Sequence, residues 1–182
     1  MAGAIILQIV LIFLNAVFAS AEIAVISANE NKIAKMADSG DKRAKRLYSL
    51  KSQPSKFLST IQVTISLAGL LGSAFAADNF AGPLAEALYN AGLSISLSTL
   101  NTICLVVVTL ILAYFNIVFG ELIPKRLAMR RADGMALGMS GMLKVVSVIF
   151  APLVWLLTVS TNGILRLFGM KPGDDEDTPT AE

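Results

Sequence analysis

The run Asn116-Ile-Val-Phe-Gly-Glu-Leu-Ile-Pro124 gathers oxygen chemistry within about two helical turns. Asn116 offers an amide oxygen and Glu121 a carboxylate. Pro124 has no N–H, so the Gly120 carbonyl loses its usual helical donor and becomes a free acceptor. Gly120 also lets another group approach the backbone closely. Two hydroxyls from distant parts of the chain, Ser20 and Ser66, join these groups by depth, as the spans below predict. The set Ser20, Ser66, Asn116, Gly120 and Glu121 is entirely oxygen. The chain has no His and a single Cys, Cys104. That excludes imidazole-bound metals, cysteine clusters and internal disulfides. A hard cation such as Mg2+, Ca2+ or Na+ is favoured, and ligand chemistry does not choose among them. No nucleophile–base pair is visible, so an enzyme is the least favoured reading.

The elements that must position these groups are membrane spans. Of the 182 residues, 55% are hydrophobic and only 15% charged, against about 25% charged in soluble domains. From Ala2 to Asn29 the only charge is Glu22, and from Asn79 to Gly120 the only one is Glu86. Residues 57–77 and 145–165 carry none. A bilayer-spanning helix needs about 20 apolar residues, so spans are predicted at about 3–28, 57–77 and 97–123. The first lacks a basic n-region, and its apolar run exceeds the usual length of about 7–15 residues, so it is not read as a cleaved signal peptide. Residues 135–168 are apolar but hold Pro152, with Gly134, Gly138 and Gly141 before it and basic residues at both ends. A bent helical hairpin fits that pattern better than a straight crossing. The expected fold is an all-α membrane protein with three transmembrane helices, juxtamembrane helices and this bent segment. Residues 1–171 form the domain, and 172–182 an acidic tail or linker.

Charge sets the expected orientation. The formal net charge is +2, but five of the 13 acidic residues lie in the last nine positions. The 30–56 segment carries eight Lys and Arg against three acids. The 78–96 segment has Asp78 and Glu86 and no base, and Lys125, Arg126, Arg130 and Arg131 follow the third span. The positive-inside rule places 30–56, 124–134 and the C-terminus in the cytoplasm and the N-terminus outside. Within 30–56, Ile33, Met36, Ala37, Ala44, Leu47 and Leu50 recur at roughly helical spacing around a break at Gly40. This predicts amphipathic helices along the inner membrane surface, ended by Pro54, that anchor to anionic lipid or bind a partner.

At 1.5 Å per residue, Ser20, Ser66 and Asn116 all fall roughly 13–15 Å from the inner boundary. Glu121 lies nearer the inside, at about 6 Å, with its side chain tilted back towards the midplane. A carboxylate inside a span costs about 2.5–3.5 kcal/mol on insertion scales, so it needs a partner, a cavity or an ion. Small-residue stripes, Ala16–Ser20–Ala24 and Ser66–Gly69–Ser73, point both serines at neighbouring helices. The alternatives are ordinary: the hydroxyls bond backbone carbonyls, and Glu121 pairs with Lys125 or Arg126. Glu22 lies about 10 Å in, about 200° round the helix from Ser20. It reads as paired with a base of the juxtamembrane segment, or as a second ion-facing carboxylate. Cys104 reads as lipid-facing or packing filler.

The stretches Phe18-Ala-Ser-Ala-Glu-Ile-Ala-Val-Ile-Ser-Ala-Asn29, Phe57-Leu-Ser-Thr-Ile-Gln-Val-Thr-Ile-Ser66 and Phe119-Gly-Glu-Leu-Ile-Pro-Lys-Arg126 closely resemble the transmembrane domain of the CorC/CNNM (cyclin M) magnesium transporters. The resemblance covers nearly the whole chain, and its third motif is the specific one. It implies a homodimeric, Na+-coupled Mg2+ exporter in the plasma or inner membrane, with Mg2+ held by Ser20, Ser66, Asn116, the Gly120 carbonyl and Glu121. It also implies that full-length members continue into cytoplasmic CBS domains that bind ATP. Nothing of that size fits after residue 168, so an isolated membrane domain is expected. The rival readings are a membrane anchor and dimerisation domain for regulatory modules, or a transporter of another hard cation. Nucleic acid is not an expected partner.

Overall fold

A computed structural model describes residues 2–93 and 95–168. The described residues are helices and short connections, and the protein is an all-α membrane protein, as the composition predicts. The 172–182 tail lies outside the described residues.

Helix α1 (Ala2–Ser27) is 26 residues long, or about 39 Å, enough to cross a bilayer. Its last turn leaves carbonyls without helical donors. Lys51 supplies one, donating from Nζ to the carbonyls of Val25 (3.2 Å) and Ala28 (2.7 Å). Two short helices follow, α2 (Glu30–Asp38) and α3 (Lys42–Lys51). Asn29 caps α2 by accepting from the Lys32 N–H. Gly40 makes the break between them with φ +97°, a backbone conformation that side chains disfavour. The Asp41 carboxylate caps α3, accepting from the N–H of Arg43 (2.7 Å) and of Ala44 (3.2 Å). Those backbone donors hold its carboxyl below the usual carboxylate range.

Ile33, Ala37, Ala44 and Leu47 are buried, as the helical spacing predicts. Their face does not meet lipid. It packs into a core built by α1, α2, α3 and α8 at the basic end of the molecule. Asp133 fastens this end, accepting from the Asn29 backbone N–H (2.9 Å) and pairing with Lys32 (2.8 Å).

Helix α4 (Pro54–Ala76) passes through a π-turn (Ala77–Ala81) into α5 (Gly82–Asn90). The expected 78–96 linker therefore contains a helix. It packs on the start of α6 (Leu97–Ile117) through Ala81, Ala85, Leu100 and Cys104, which settles Cys104 as buried filler. Helix α6 continues through a second π-turn (Val118–Leu122) into α7 (Ile123–Arg130). The segments α8 (Ala132–Ile149) and α9 (Ala151–Leu167) meet at a bend at Phe150, with Pro152 in the first turn of α9. Helix α8 lies on α1 and α3, and α9 leans on α4. By length and composition the runs Ala2–Ser27, Pro54–Asn90, Leu97–Arg130 and Ala132–Ile149 can each cross a membrane. The first three contain the predicted spans.

The apolar core is concentrated at the basic end. Towards the other end large side chains such as Ile6, Leu70 and Leu110 are exposed, the surface expected of helices solvated by lipid tails.

Candidate cation site

Two breaks in the backbone build the site. Pro124 lies in the first turn of α7 and has no N–H, so an α-helical ladder cannot run through it. The chain accommodates this with the π-turn, in which the Ile123 N–H donates to the Val118 carbonyl five residues back. The Phe119 carbonyl thereby loses its i+4 donor, and its i+5 residue is Pro124. The Gly120 carbonyl has Pro124 at i+4, and its only remaining helical donor is the Lys125 N–H at i+5. Among the described residues no side chain donates to either oxygen. The sequence predicts a freed Gly120 carbonyl; the π register leaves the Phe119 carbonyl without a helical donor at i+4 or i+5.

Gly120 is buried against α1. A Cβ there would lie 2.8 Å from Asn116 Oδ1, 3.2 Å from Asn15 Nδ2 and 3.4 Å from the Ile12 carbonyl. Only glycine lets the two helices approach this closely. At the contact, Asn15 donates from Nδ2 to Asn116 Oδ1 (3.2 Å). Asn15 is 2% exposed, and its own Oδ1 is buried with no hydrogen-bond partner among the described residues.

One to two turns towards the basic end, the charged groups meet. Lys125 Nζ lies 2.9 Å from Glu121 Oε1 and 3.1 Å from Glu22 Oε2. One ammonium thus bridges two carboxylates from different helices. Glu22 is the more sequestered acid, with its side chain 17% exposed against 40% for Glu121. Glu22 does pair with a base, but the base comes from α7. The 30–56 segment uses Lys51 to cap α1 instead.

The structure therefore brings Asn116, Gly120 and Glu121 together on one short segment facing α1. Ser20 is buried on α1, but lies five residues from Asn15, about 140° round the helix. Ser66 is exposed on α4. The buried face at the start of α4 is formed by Phe57, Thr60, Ile61 and Thr64, so within one chain Ser66 does not face a neighbour, while Gly69 and Ser73 of the predicted stripe border the space between α1, α4 and α6. Thr60 and Thr64 satisfy their hydroxyls on the carbonyls of Lys56 and Thr60 (both 2.8 Å).

Sequence reasoning missed Asn15. The signal was present: Gln8, Asn15 and Glu22 recur every seven residues, which puts three polar side chains on one face of α1. Among the described residues no group of three Asp, Glu, Cys or His side chains gathers. A cation here would rest on one or two carboxylates and neutral oxygens, the ligand chemistry of Mg2+, Ca2+ or Na+.

Comparison with known proteins gives the family of the chain. The family model of the cyclin M transmembrane N-terminal domain matches residues 6–182, and the chain belongs to that family. It is 37% identical over 161 residues to a UPF0053 protein of Synechocystis, covering 88% of this chain and 36% of the relative. It is 30% identical over 162 residues to a protein of Haemophilus influenzae named polyamine export protein, covering 88% and 36%. A UPF0053 protein of Bacillus subtilis is 30% identical over 177 residues, covering 95% and 37%. The chain spans a little over a third of the length of these curated relatives.

Proposed function

We propose that the chain is the membrane domain of a transporter that moves Mg2+ out of the cytoplasm in exchange for Na+. The basic end, with α2, α3 and α7, faces the cytoplasm, and the N-terminus faces outside, by the positive-inside rule. The observation that carries the reading is the Glu22–Lys125–Glu121 cluster beside the π-turn and its freed Phe119 carbonyl. In the cation-free state Lys125 balances the two acids. Mg2+ arriving from the cytoplasm meets the part-exposed Glu121 first and takes over that role. Asn116 Oδ1 and the Phe119 or Gly120 carbonyls then replace part of its hydration shell. Mg2+ dehydrates reluctantly and demands near-octahedral geometry, which the tight packing of Gly120 on α1 supports.

Ser20 and Ser66 complete the ligand set when the spans close around the site. A second copy covering the exposed Ser66 face of α4 makes the transporter a homodimer. Cytoplasmic CBS domains, where the full-length protein carries them, regulate it. The chain spans little more than a third of its curated relatives, and these assemblies belong to the whole protein.

The experiment is Mg2+ efflux from loaded liposomes with and without an inward Na+ gradient. The wild-type domain should release Mg2+ faster with the gradient, and Glu121→Ala should reduce the rate about tenfold or more, a loss of about 1.4 kcal/mol. No flux, with no Mg2+-dependent thermal shift, would support a membrane anchor and dimerisation domain instead. Flux of Ca2+ or Mn2+ in preference to Mg2+, or of spermidine as the name of the Haemophilus relative suggests, would reassign the cargo.

A further inference from the structure

A second polar site lies deeper in the bundle than the carboxylates. Gln8 sits one heptad before Asn15 on the same face of α1, about 10 Å further from the basic end. It is 8% exposed, and its Oε1 is buried with no hydrogen-bond partner among the described residues. It lines a cavity of about 120 Å3 between α1, α4 and α6, bordered also by Gly72, Ser73, Thr109 and Asn116. A water needs roughly 10–15 Å3 by this measure, so there is room for an ion that keeps some hydration. A Cβ on Gly72 would lie 3.5–3.6 Å from the Gln8 amide, so the glycine holds this space open.

The chemistry of the vacant groups selects the ligand. Gln8 Oε1, the buried unpaired atom of this cavity, is an acceptor, so its partner is a donor or a cation. The cavity holds amide and hydroxyl oxygens and no carboxylate. The cost of desolvating an ion rises with the square of its charge, and here nothing neutralises a divalent ion. A hard monovalent cation suits such a site. Asn116 borders the cavity and also supports the π-turn site, so two cations bound at once would compete for one amide oxygen. In a medium of low dielectric they would repel strongly.

We propose that the Gln8–Thr109–Asn116 cavity is a Na+ site whose occupancy opposes Mg2+ binding at the π-turn. The proposal rests on the Na+-coupled reading above and gives the coupling ion a location of its own.

The test is thermal unfolding of the purified domain in detergent, in NaCl against choline chloride and KCl at constant ionic strength. Na+ should raise the Tm in Mg2+-free buffer where choline does not, and should shift the Mg2+ midpoint upwards about fivefold or more. Gln8→Leu should abolish both Na+ effects while leaving the Mg2+ midpoint in choline within about twofold. Thr109→Val, which keeps the side-chain shape, should weaken them in the same direction, and it serves if Gln8→Leu does not fold. An absent Na+ effect, one that choline reproduces, or one that survives both variants would overturn the proposal. If Mg2+ produces no shift under any condition but Gln8→Leu still removes the Na+ effect, the Mg2+ reading fails and the Na+ site stands.

Discussion

The two π-turns share a local grammar and come to different ends. Ala77–Ala81 is followed by Gly82 and Pro83, and Val118–Leu122 by Ile123 and Pro124. In both, a proline in the first turn of the next helix removes an N–H, and the helix shifts register to continue. Near the first turn the chain repairs the ladder itself, with Asn79 Nδ2 donating to the Phe75 carbonyl (2.9 Å). The first turn and the residues after it contribute Ala81 and Ala85 to an apolar cluster with α6. The second meets Asn15 and Asn116 across Gly120, and no side chain among those described repairs its carbonyls. A proline-induced break is therefore not a site by itself. It becomes one where the neighbouring helix brings polar groups and glycine lets them close in.

The largest test of that contrast compares two glycines. Gly120→Ala puts a Cβ 2.8 Å from Asn116 Oδ1 and 3.2 Å from Asn15 Nδ2, with the Ile12 carbonyl at 3.4 Å, so the Asn15–Asn116 pair must be displaced. Overpacking of this kind costs about 1–3 kcal/mol, or a Tm drop of about 2–12 °C for a chain of this size, and should abolish the Mg2+-dependent thermal shift. Gly82→Ala meets nothing within 4 Å and should raise stability slightly, by up to about 1 kcal/mol, with the Mg2+ response intact. Equal effects of the two substitutions would erase the distinction between the turns.

Next in size is the charge cluster that only the second turn reaches. Lys125→Met leaves Glu22 and Glu121 without their shared cation. The groups are partly exposed, so the loss is smaller than the 3–5 kcal/mol of a fully buried broken pair, about 1–2 kcal/mol. In Mg2+-free buffer the variant should melt lower than wild type. Added Mg2+ should restore most of the difference, giving a larger shift than in wild type. A shift the same size in both proteins would mean that Lys125 and the transported ion do not share these carboxylates.

Much of the site was legible because membrane burial makes a lone polar residue conspicuous. Asn116, Gly120 and Glu121 stand out in a nearly charge-free span, and a proline tells where the helical ladder breaks, though not that the π register frees Phe119. The bend at Pro152 and the break at Gly40 follow from the same local rules. What could not be read was rotation. The depth of Ser20 and Ser66 follows from counting, but the face each presents depends on packing between helices. That packing put the Gln8–Asn15–Glu22 face against the π-turn and left Ser66 exposed. The destination of the α2–α3 apolar face was hidden for the same reason: periodicity shows that a face is apolar, not whether lipid or α8 covers it.

The smallest expected effect concerns the prolines themselves. Pro124→Ala restores an N–H that can reach the Gly120 carbonyl, so α6 and α7 can close into a regular helix. The change relieves a backbone defect, and the apo Tm should stay level or rise. Yet closing the π-turn takes away the free acceptor and turns every later residue by about 100° relative to α6, carrying Lys125 off Glu22 while its i,i+4 partner Glu121 turns with it. The Mg2+ midpoint should rise about fivefold, equivalent to about 1 kcal/mol, without loss of fold. Pro83→Ala makes the same repair where no cation chemistry depends on it, and should leave the midpoint within about twofold. A Pro124→Ala protein that binds Mg2+ like wild type would show that the side chains of Asn116 and Glu121 suffice. The π-turn would then be a consequence of the proline and not part of the site.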